Sequence, residues 1–278
     1  MPEMPTILRP SRAALRFSGV DAQKLLFDVV TGRLLAEPGP AVWWALLSPQ
    51  GKIQAEGLSG WAEDAFWLDV DAGAADAFFK KMRMYKLRAA VEIEDLRETH
   101  AVGWSFDGWE AGVVHADPRG FGERVIATKA DAAAWLPADD QFTARRISFG
   151  LPEEGPDFAV DTTFAHDIGM DLLDGIDFVK GCYVGQEVVS RMKHRGTARR
   201  RPVIVSGVEA AAGTEVVAGG RAAGTLGEVV DGRAVAVLRL DRITDVTAVT
   251  VEGKPVTVEL PLWANYQFGE AEAEAGAE

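Results

Sequence analysis

Lys180-Gly181-Cys182-Tyr183-Val184-Gly185-Gln186-Glu187 is the stretch on which the reading of this chain turns. Two glycines bracket Cys182 and Tyr183. Glycine permits close backbone approach and positive φ, so the pattern predicts a tight, exposed turn. The sole cysteine of the 278 residues stands in that turn, two residues after Lys180. A neighbouring ammonium favours the thiolate, the form that attacks electrophiles and binds metals. A lone cysteine is also commonly a small buried hydrophobe. On that alternative Lys180 is a solvated side chain and the glycines serve only the turn. From Gln186 onward the pattern reads as the start of a helix, with Glu187 and Arg191 spaced i, i+4 for an ion pair.

Immediately downstream lie Arg191, Lys193, Arg195, Arg199, Arg200 and Arg201, with His194 among them and no acidic residue. The chain as a whole runs the other way, with 29 Lys and Arg against 42 Asp and Glu and a net charge of −13. Long-range repulsion therefore disfavours general nucleic-acid binding. A concentrated basic segment in an acidic protein points instead to a local anion site. Four of the acidic charges, Glu270, Glu272, Glu274 and Glu278, alternate with small residues in what reads as a disordered, solubilising tail.

Upstream, strand and helix signals alternate. Leu15–Gly19 reads as a strand entering a turn. Asp21 is a candidate N-cap for a helix carrying Ala22, Leu25, Leu26, Val29 and Val30 at helical spacing. Val42–Leu47 and Ile53–Leu58, joined by Pro49-Gln50-Gly51-Lys52, form a candidate hairpin. Phe66–Val70 is another strand. Asp71–Leu87 is the longest helical pattern, with Ala75, Phe78, Phe79, Met82 and Tyr85 on one side. Ala90–Ile93, Ala101–Trp104, Ala111–His115 and Arg124–Ala127 read as strands, and Asp131–Trp135 and Asp140–Ile147 as short helices. Beyond Pro202, the Val-rich segments Val203–Val208, Glu215–Val217, Thr225–Val230, Ala234–Leu240, Thr247–Val251 and Lys254–Leu260 predict a small β-barrel. The organisation expected is an α+β unit over 1–97, a second over 98–197 carrying the octapeptide, a β-barrel over 198–264 and an acidic tail over 265–278.

Composition excludes several classes. With 47% hydrophobic and 26% charged residues the chain is globular. No apolar run has the roughly 18–20 residues a membrane helix needs, and Met1–Pro10 lacks the pattern of a secretory signal. One cysteine makes no internal disulfide and no Cys-rich metal site. His100, His115, His166 and His194 show no paired ligand spacing, so no metal ligands are assigned. A cytoplasmic monomer without a membrane partner is the expectation.

The octapeptide resembles the Lys-Gly-Cys-Tyr-x-Gly-Gln-Glu motif of the YgfZ family, folate-binding proteins related to a mitochondrial iron–sulfur assembly factor. The match is complete from Lys180 to Glu187 and continues through Arg191. Phe17-Ser18-Gly19-Val20-Asp21-Ala22 is similar to the family's F-x-G-x-D-A opening, and Leu47-Ser48-Pro49-Gln50-Gly51-Lys52 to its L-x-P-x-G-K hairpin. Arg146–Pro152 and Asp171–Phe178 resemble the lead-in to the motif. The resemblance implies the fold of the glycine cleavage aminomethyltransferase: two mixed α+β units with antiparallel sheets and a C-terminal β-barrel round a central folate-binding opening. It implies tetrahydrofolate or a derivative as cofactor, iron–sulfur client or assembly proteins as partners, and a role in assembling or repairing iron–sulfur enzymes. Cys182 and Lys180 are then the reactive pair, and Tyr183, Gln186, Glu187 and Arg191 flank the ligand. One of Arg199, Arg200 and Arg201 falls where the transferases meet the folate glutamate tail, for which an arginine fork is suited. Tyr266 resembles their late aromatic residue, its plainer role being to close the barrel.

Two departures separate the chain from the transferases. Their hairpin carries G-x-I-x-D-D, with an aspartate beside the reacting folate nitrogen. Here Gly51-Lys52-Ile53-Gln54-Ala55-Glu56 has neither aspartate. Glu56 in a shifted register misplaces its carboxylate, and about 1 Å of misplacement can cost 10²-fold in rate. Their R-L-E-x-G becomes Arg146-Ile147-Ser148-Phe149-Gly150, with one hydroxyl in place of a bidentate carboxylate. The implied role is thus a folate-dependent accessory protein, with one-carbon (aminomethyl-type) transfer as the alternative.

Overall fold

A computed structural model describes residues 6–106, 108, 111–138, 140–196 and 198–269, with the side chain of Arg195 left out. Glu270, Glu272, Glu274 and Glu278 of the expected acidic tail lie outside the described residues. The chain divides into two compact units, each assembled from separate stretches. One comprises Met1–Pro49, Ile53–Asp139 and Asp174–Val184, the other Gln50–Lys52, Asp140–Leu173 and Gly185–Glu278.

The first unit contains β1 (Ile7–Leu8), β2 (Arg12–Ser18), α1 (Ala22–Val29), β3 (Val42–Leu47), β4 (Ile53–Ala62), β5 (Ala65–Asp71), α2 (Ala75–Lys86), β6 (Glu92–Asp95), β7 (His100–Ser105), β8 (Val113–Ala116) and β9 (Glu123–Thr128). Five strands form an antiparallel sheet in the order β3-β4-β5-β2-β6, and four form another in the order β1-β7-β9-β8. The period-two pattern of β2 explains how both of its faces are used. Ala13, Leu15 and Phe17 join a core with Leu26 of α1 and Phe78 and Met82 of α2. Ala14 faces the other way and joins Trp67, Val102, Val113 and Ile126, the last three from the four-stranded sheet. Trp44 stacks on Phe78 with centroids 5.1 Å apart.

Two local expectations change here. Asp21 stands at the N-cap position of α1 as expected, but its side chain makes no capping hydrogen bond. Its carboxylate instead accepts the Ala90 N–H at 2.7 Å, tying the helix start to the segment before β6. Tyr85, expected on the apolar side of α2, is 37% exposed. The helix buries Ala75, Phe78 and Met82, a stripe that leaves Tyr85 at its edge.

A buried ionic network crosses this unit. Arg12 meets Glu56 and Asp69 at 2.7 Å each. Arg124, fully buried, reaches Asp69 at 3.1 Å and the Leu58 carbonyl at 2.8 Å. Trp43 Nε1 donates to the second Glu56 oxygen at 2.8 Å. Arg124 also donates to His115 Nδ1 at 3.0 Å, which leaves Nε2–H to donate to the Trp61 carbonyl at 3.2 Å. Burial, reinforced by Arg124, pushes the His115 pKa down to about 4.

The second unit holds α3 (Asp140–Phe149), α4 (Gln186–Arg195) and seven strands: β10 (Arg200–Ser206), β11 (Glu215–Ala218), β12 (Arg221–Val230), β13 (Arg233–Arg239), β14 (Val249–Val251), β15 (Lys254–Pro255) and β16 (Thr257–Glu259). They form one antiparallel sheet in the order β15-β14-β11-β12-β13-β10-β16, curled into a nearly closed barrel. Its core includes Val203, Val205, Val216, Leu226, Ala236, Leu238 and Ile243. The strand expected from Thr247 begins two residues later. Asp245 accepts the Thr247 N–H at 2.9 Å and nucleates a short 3₁₀ turn over Val246–Ala248 instead. Arg146 of α3 binds Asp157, the Leu151 carbonyl at 2.7 Å and Glu228 of β12 at 3.3 Å, fixing the helix to the barrel. No helix among the described residues is long and apolar enough to cross a membrane.

Candidate functional site

The cysteine-bearing loop belongs to the first unit up to Val184. Its path follows from hydrogen bonds that start at the end of α1. Thr31 Oγ1 donates to the Gly175 carbonyl at 2.7 Å and accepts from the Ala45 N–H at 2.9 Å. Asp177 N–H donates to the Thr31 carbonyl at 2.9 Å. The Asp177 carboxylate then accepts from the Val179 and Lys180 N–H groups at 2.8 and 3.1 Å, which folds the loop back.

Lys180 is buried, not solvated. Its ammonium donates to the carbonyls of Phe27, Val30 and Gly32, at 2.7 Å to Phe27 and 3.0 Å to Gly32. These carbonyls lie at and just beyond the C-terminus of α1, where acceptors lack intrahelical partners and the helix dipole is negative. The Phe27 and Tyr183 rings lie 4.7 and 4.9 Å from the same nitrogen. Burial lowers the Lys180 pKa to about 8, with Asp177 and Asp28 opposing. The structure therefore engages this ammonium as a staple between loop and helix. Along the loop Lys180 and Tyr183 are buried, while Gly181 and Cys182 between them are exposed. Only one of the two glycines is required by its backbone. Gly185, at φ +84°, begins α4, whereas a side chain at Gly181 would meet open space.

In the second unit, α4 presents Glu187 and Arg191 as an exposed ion pair at 2.5 Å, as their spacing predicts. Beside this helix lies a cavity of about 540 Å³. Its lining includes Met192 of α4, Arg199 and Arg200 at the start of β10, Arg239 at the end of β13, Lys52, Phe164 and Asp167. The volume is in the roughly 300–1,000 Å³ range of small-ligand sites. Arg199 and Arg200 are exposed, and neither guanidinium pairs with a carboxylate or other acceptor among the described residues. Arg239 is held by Asp241 at 2.6 Å. Asp157 is pinned by Arg146 and accepts the Glu228 N–H at 2.9 Å. Lys52 donates to the Thr162 carbonyl at 2.6 Å and lies 3.1 Å over the Phe164 ring. Burial lowers the Lys52 pKa while Asp167 opposes, and burial raises that of Asp167. The cavity thus has an excess of positive charge and can hold an anion.

The basic run is divided by its strand. Arg199 and Arg200 face the cavity, but Arg201 is buried, binding Asp171 at 2.7 and 3.0 Å and the His166 carbonyl at 2.7 Å. Tyr266 is buried too, its hydroxyl donating to the Pro202 carbonyl at 2.7 Å, in keeping with the barrel-closing role. Its own pKa is raised by burial. Glu56 is locked by Arg12 and Trp43, and Ser148 is turned onto the Arg145 carbonyl at 2.6 Å. Lys52, Asp167 and Arg239 were not read as site residues from the sequence. Gly51-Lys52 did carry a signal: at φ +77° Gly51 has no room for a side chain, since a Cβ would meet Val188 of α4 at 2.8 Å. Asp167 and Arg239 reach the cavity only through tertiary folding.

Comparison with known proteins adds kinship to this geometry. Residues 198–266 match the CAF17 C-terminal beta-barrel domain. The chain is 31% identical over 224 residues to a mitochondrial iron–sulfur cluster assembly factor IBA57 homolog of Neurospora crassa, covering 69% of this chain and 51% of that one. It is 29% identical over 229 residues to the homolog of Mycosarcoma maydis, covering 71% and 56%. The chain spans about half the length of the curated relatives it matches. Aminomethyltransferase T of the glycine cleavage system from Bartonella henselae, 14% identical, superposes with a TM-score of 0.72 over 95% of this chain and 87% of that one, which shows the fold. These relatives correct one expectation. They are named as mitochondrial, so the cytoplasmic assignment does not stand. An unpaired cysteine indicates reducing surroundings only, and the cytoplasm is not alone in providing them.

Proposed function

We propose that this chain serves iron–sulfur cluster assembly, the task for which its IBA57 relatives are named, and that it does so with tetrahydrofolate or a derivative bound. Likeness to those relatives over more than two thirds of the chain carries the first part. The octapeptide extends the reading to kinship with the YgfZ family, and so to iron–sulfur client or assembly proteins as partners. The compartment follows the relatives and is mitochondrial.

The cavity of the second unit supports the folate part. Arg199 and Arg200, unpaired and exposed, offer two planar forks to the carboxylates of a folate glutamate tail. Tetrahydrofolate supplies, when bound, a reduced pterin that can carry a one-carbon unit. This chain's own residues hold the anionic end and present the exposed Cys182 thiol on a loop stapled by Lys180. Lys180 acts by fixing that loop. No observation favours aminomethyl transfer, because Glu56 is committed to Arg12 and Trp43.

Calorimetric titration with tetrahydrofolate tests the folate part. We expect binding to wild type, about tenfold or greater weakening in the Arg199→Ala/Arg200→Ala variant, and little change in Tyr266→Phe. Absence of binding to wild type overturns it. Cys182→Ala in a deletion strain tests the thiol: we expect the fold retained and rescue of cluster enzymes lost. Full rescue removes Cys182 from the mechanism.

A further inference from the structure

We propose that the solvent face of α2, in the first unit, docks an acidic, amphipathic helical segment of a partner protein. This goes beyond the cluster-assembly reading. The surface stands on its own chemistry whichever protein brings the segment, and it needs neither folate nor Cys182.

Charge is the first observation. Between Ala77 and Val91 the chain carries Lys80, Lys81, Arg83, Lys86 and Arg88 and no acidic residue, in a protein of net charge −13. Lys81 bonds Gln54. Lys80, Arg83, Lys86 and Arg88 pair with no carboxylate among the described residues, and Arg83 lies 5.6 Å over the Phe79 ring. Like charges at helical neighbour spacing repel one another, so a carboxylate-rich neighbour relieves them.

Uncovered apolar side chains among these cations are the second. α2 buries Ala75, Phe78 and Met82, which leaves Ala77, Lys80, Met84 and Leu87 exposed in line at i, i+3, i+7 and i+10. That spacing is the stripe along which a second helix packs. Met84 is 63% exposed and Leu87 85%. Leu87, at the C-cap, has φ +45° and ψ −106°, a region that favours glycine. A leucine there costs stability and gains no burial within the chain, whereas a docked segment would cover it. Beside it lies a cavity of about 690 Å³ lined by Phe79, Leu87, Val91 and Ile93 with Arg83 and Lys86, and Glu92 is the one acidic residue of that lining. An apolar anchor flanked by carboxylates fits these surroundings.

Cations round exposed Met and Leu also suit an anionic bilayer. The net charge of −13 favours the protein segment. A segment sets its carboxylates against this face alone, whereas a bilayer sets a plane of negative charge against the acidic remainder as well. One face of a three-turn helix is smaller than the roughly 800 Å² per partner of a stable interface, so the contact is weak and reversible. It is exposed, so salt weakens it further.

The test uses the full chain and a fluorescein-labelled peptide of three heptads, with leucine at a and d, glutamate at e and g and alanine elsewhere. The glutamates keep the peptide from pairing with itself. Fluorescence anisotropy should show it binding wild type, with the lysine-for-glutamate peptide not bound. Combining Lys80→Glu, Arg83→Glu and Arg88→Glu, all at exposed positions, should weaken binding about tenfold or more. Leu87→Gly should weaken it about fivefold while leaving the unfolding midpoint unchanged or raised, which separates lost contact from lost fold. Arg199→Ala/Arg200→Ala should leave it unchanged, which excludes the cavity of the second unit as the site. No binding to wild type, equal binding of the lysine peptide, or undiminished binding to the charge-reversed variant overturns the proposal. Cosedimentation with phosphatidylglycerol vesicles that the charge reversal abolishes, without peptide binding, assigns the face to a bilayer and overturns it too. Failure here leaves the folate and cluster-assembly readings standing, because their tests turn on Arg199, Arg200 and Cys182.

Discussion

Lys180 shows how a position beside the cysteine in sequence need not turn its charge toward the thiol. Its place two residues before the cysteine invites an electrostatic role, yet its ammonium satisfies three carbonyls at the end of α1. Replacement by methionine removes the donors and leaves buried acceptors unpaired, which costs about 2–3 kcal/mol of stability. Urea unfolding followed by tryptophan fluorescence should report that loss, and native-state alkylation of the cysteine should quicken as the loop loosens. Wild-type Cys182, being exposed, should already react with iodoacetamide without denaturant, at a rate within about tenfold of the unfolded chain. Protection by orders of magnitude would contradict the loop geometry.

Among the elements, the β3–β4 hairpin was legible because its features are local: an apolar strand, a Pro-Gln-Gly-Lys turn and a second strand. The same is true of α1 and of the Val-rich strands β10 to β13. The turn glycine has a second constraint that sequence does not display. At Gly51 a Cβ would strike Val188 of α4 in addition to occupying positive φ. Gly51→Ala should therefore cost about 1–3 kcal/mol, more than the conformational penalty alone. Chemical denaturation can measure it, and Val188→Ala in the same chain should recover part of the loss. A neutral Gly51→Ala would show that the helix yields at no cost.

At the scale of the whole molecule, acid stability follows from the buried network of the first unit. An unfolded His115 takes up a proton near pH 6.5, whereas the buried ring resists until about pH 4. Between those values the unfolded chain binds more protons, so stability rises with pH across the window and is lost as pH falls through it. The gap corresponds to at most about 3 kcal/mol, less where water reaches the ring. His115→Gln keeps groups able to serve Arg124 and the Trp61 carbonyl and should flatten the dependence of the urea midpoint between pH 6.5 and 4. An unchanged slope would place the acid sensitivity in other groups. The fold as a whole also explains why Arg201 parts from Arg199 and Arg200. Arg201 is buried against Asp171, while its neighbours Arg199 and Arg200 stay exposed at the cavity.

The sequence by itself determined the α+β character, the barrel and the basic run, because each is written in local periodicity or charge density, while the exposure of Cys182 came only with the structure. Only the tertiary structure decided which cations line the cavity. Arg239, Asp167 and Lys52 come together from distant parts of the second unit, and Lys180 is withdrawn to a helix end 150 residues away in sequence from Val30. Local patterns report what a residue is, but whether its charge faces a ligand or a buried carbonyl depends on packing between remote segments.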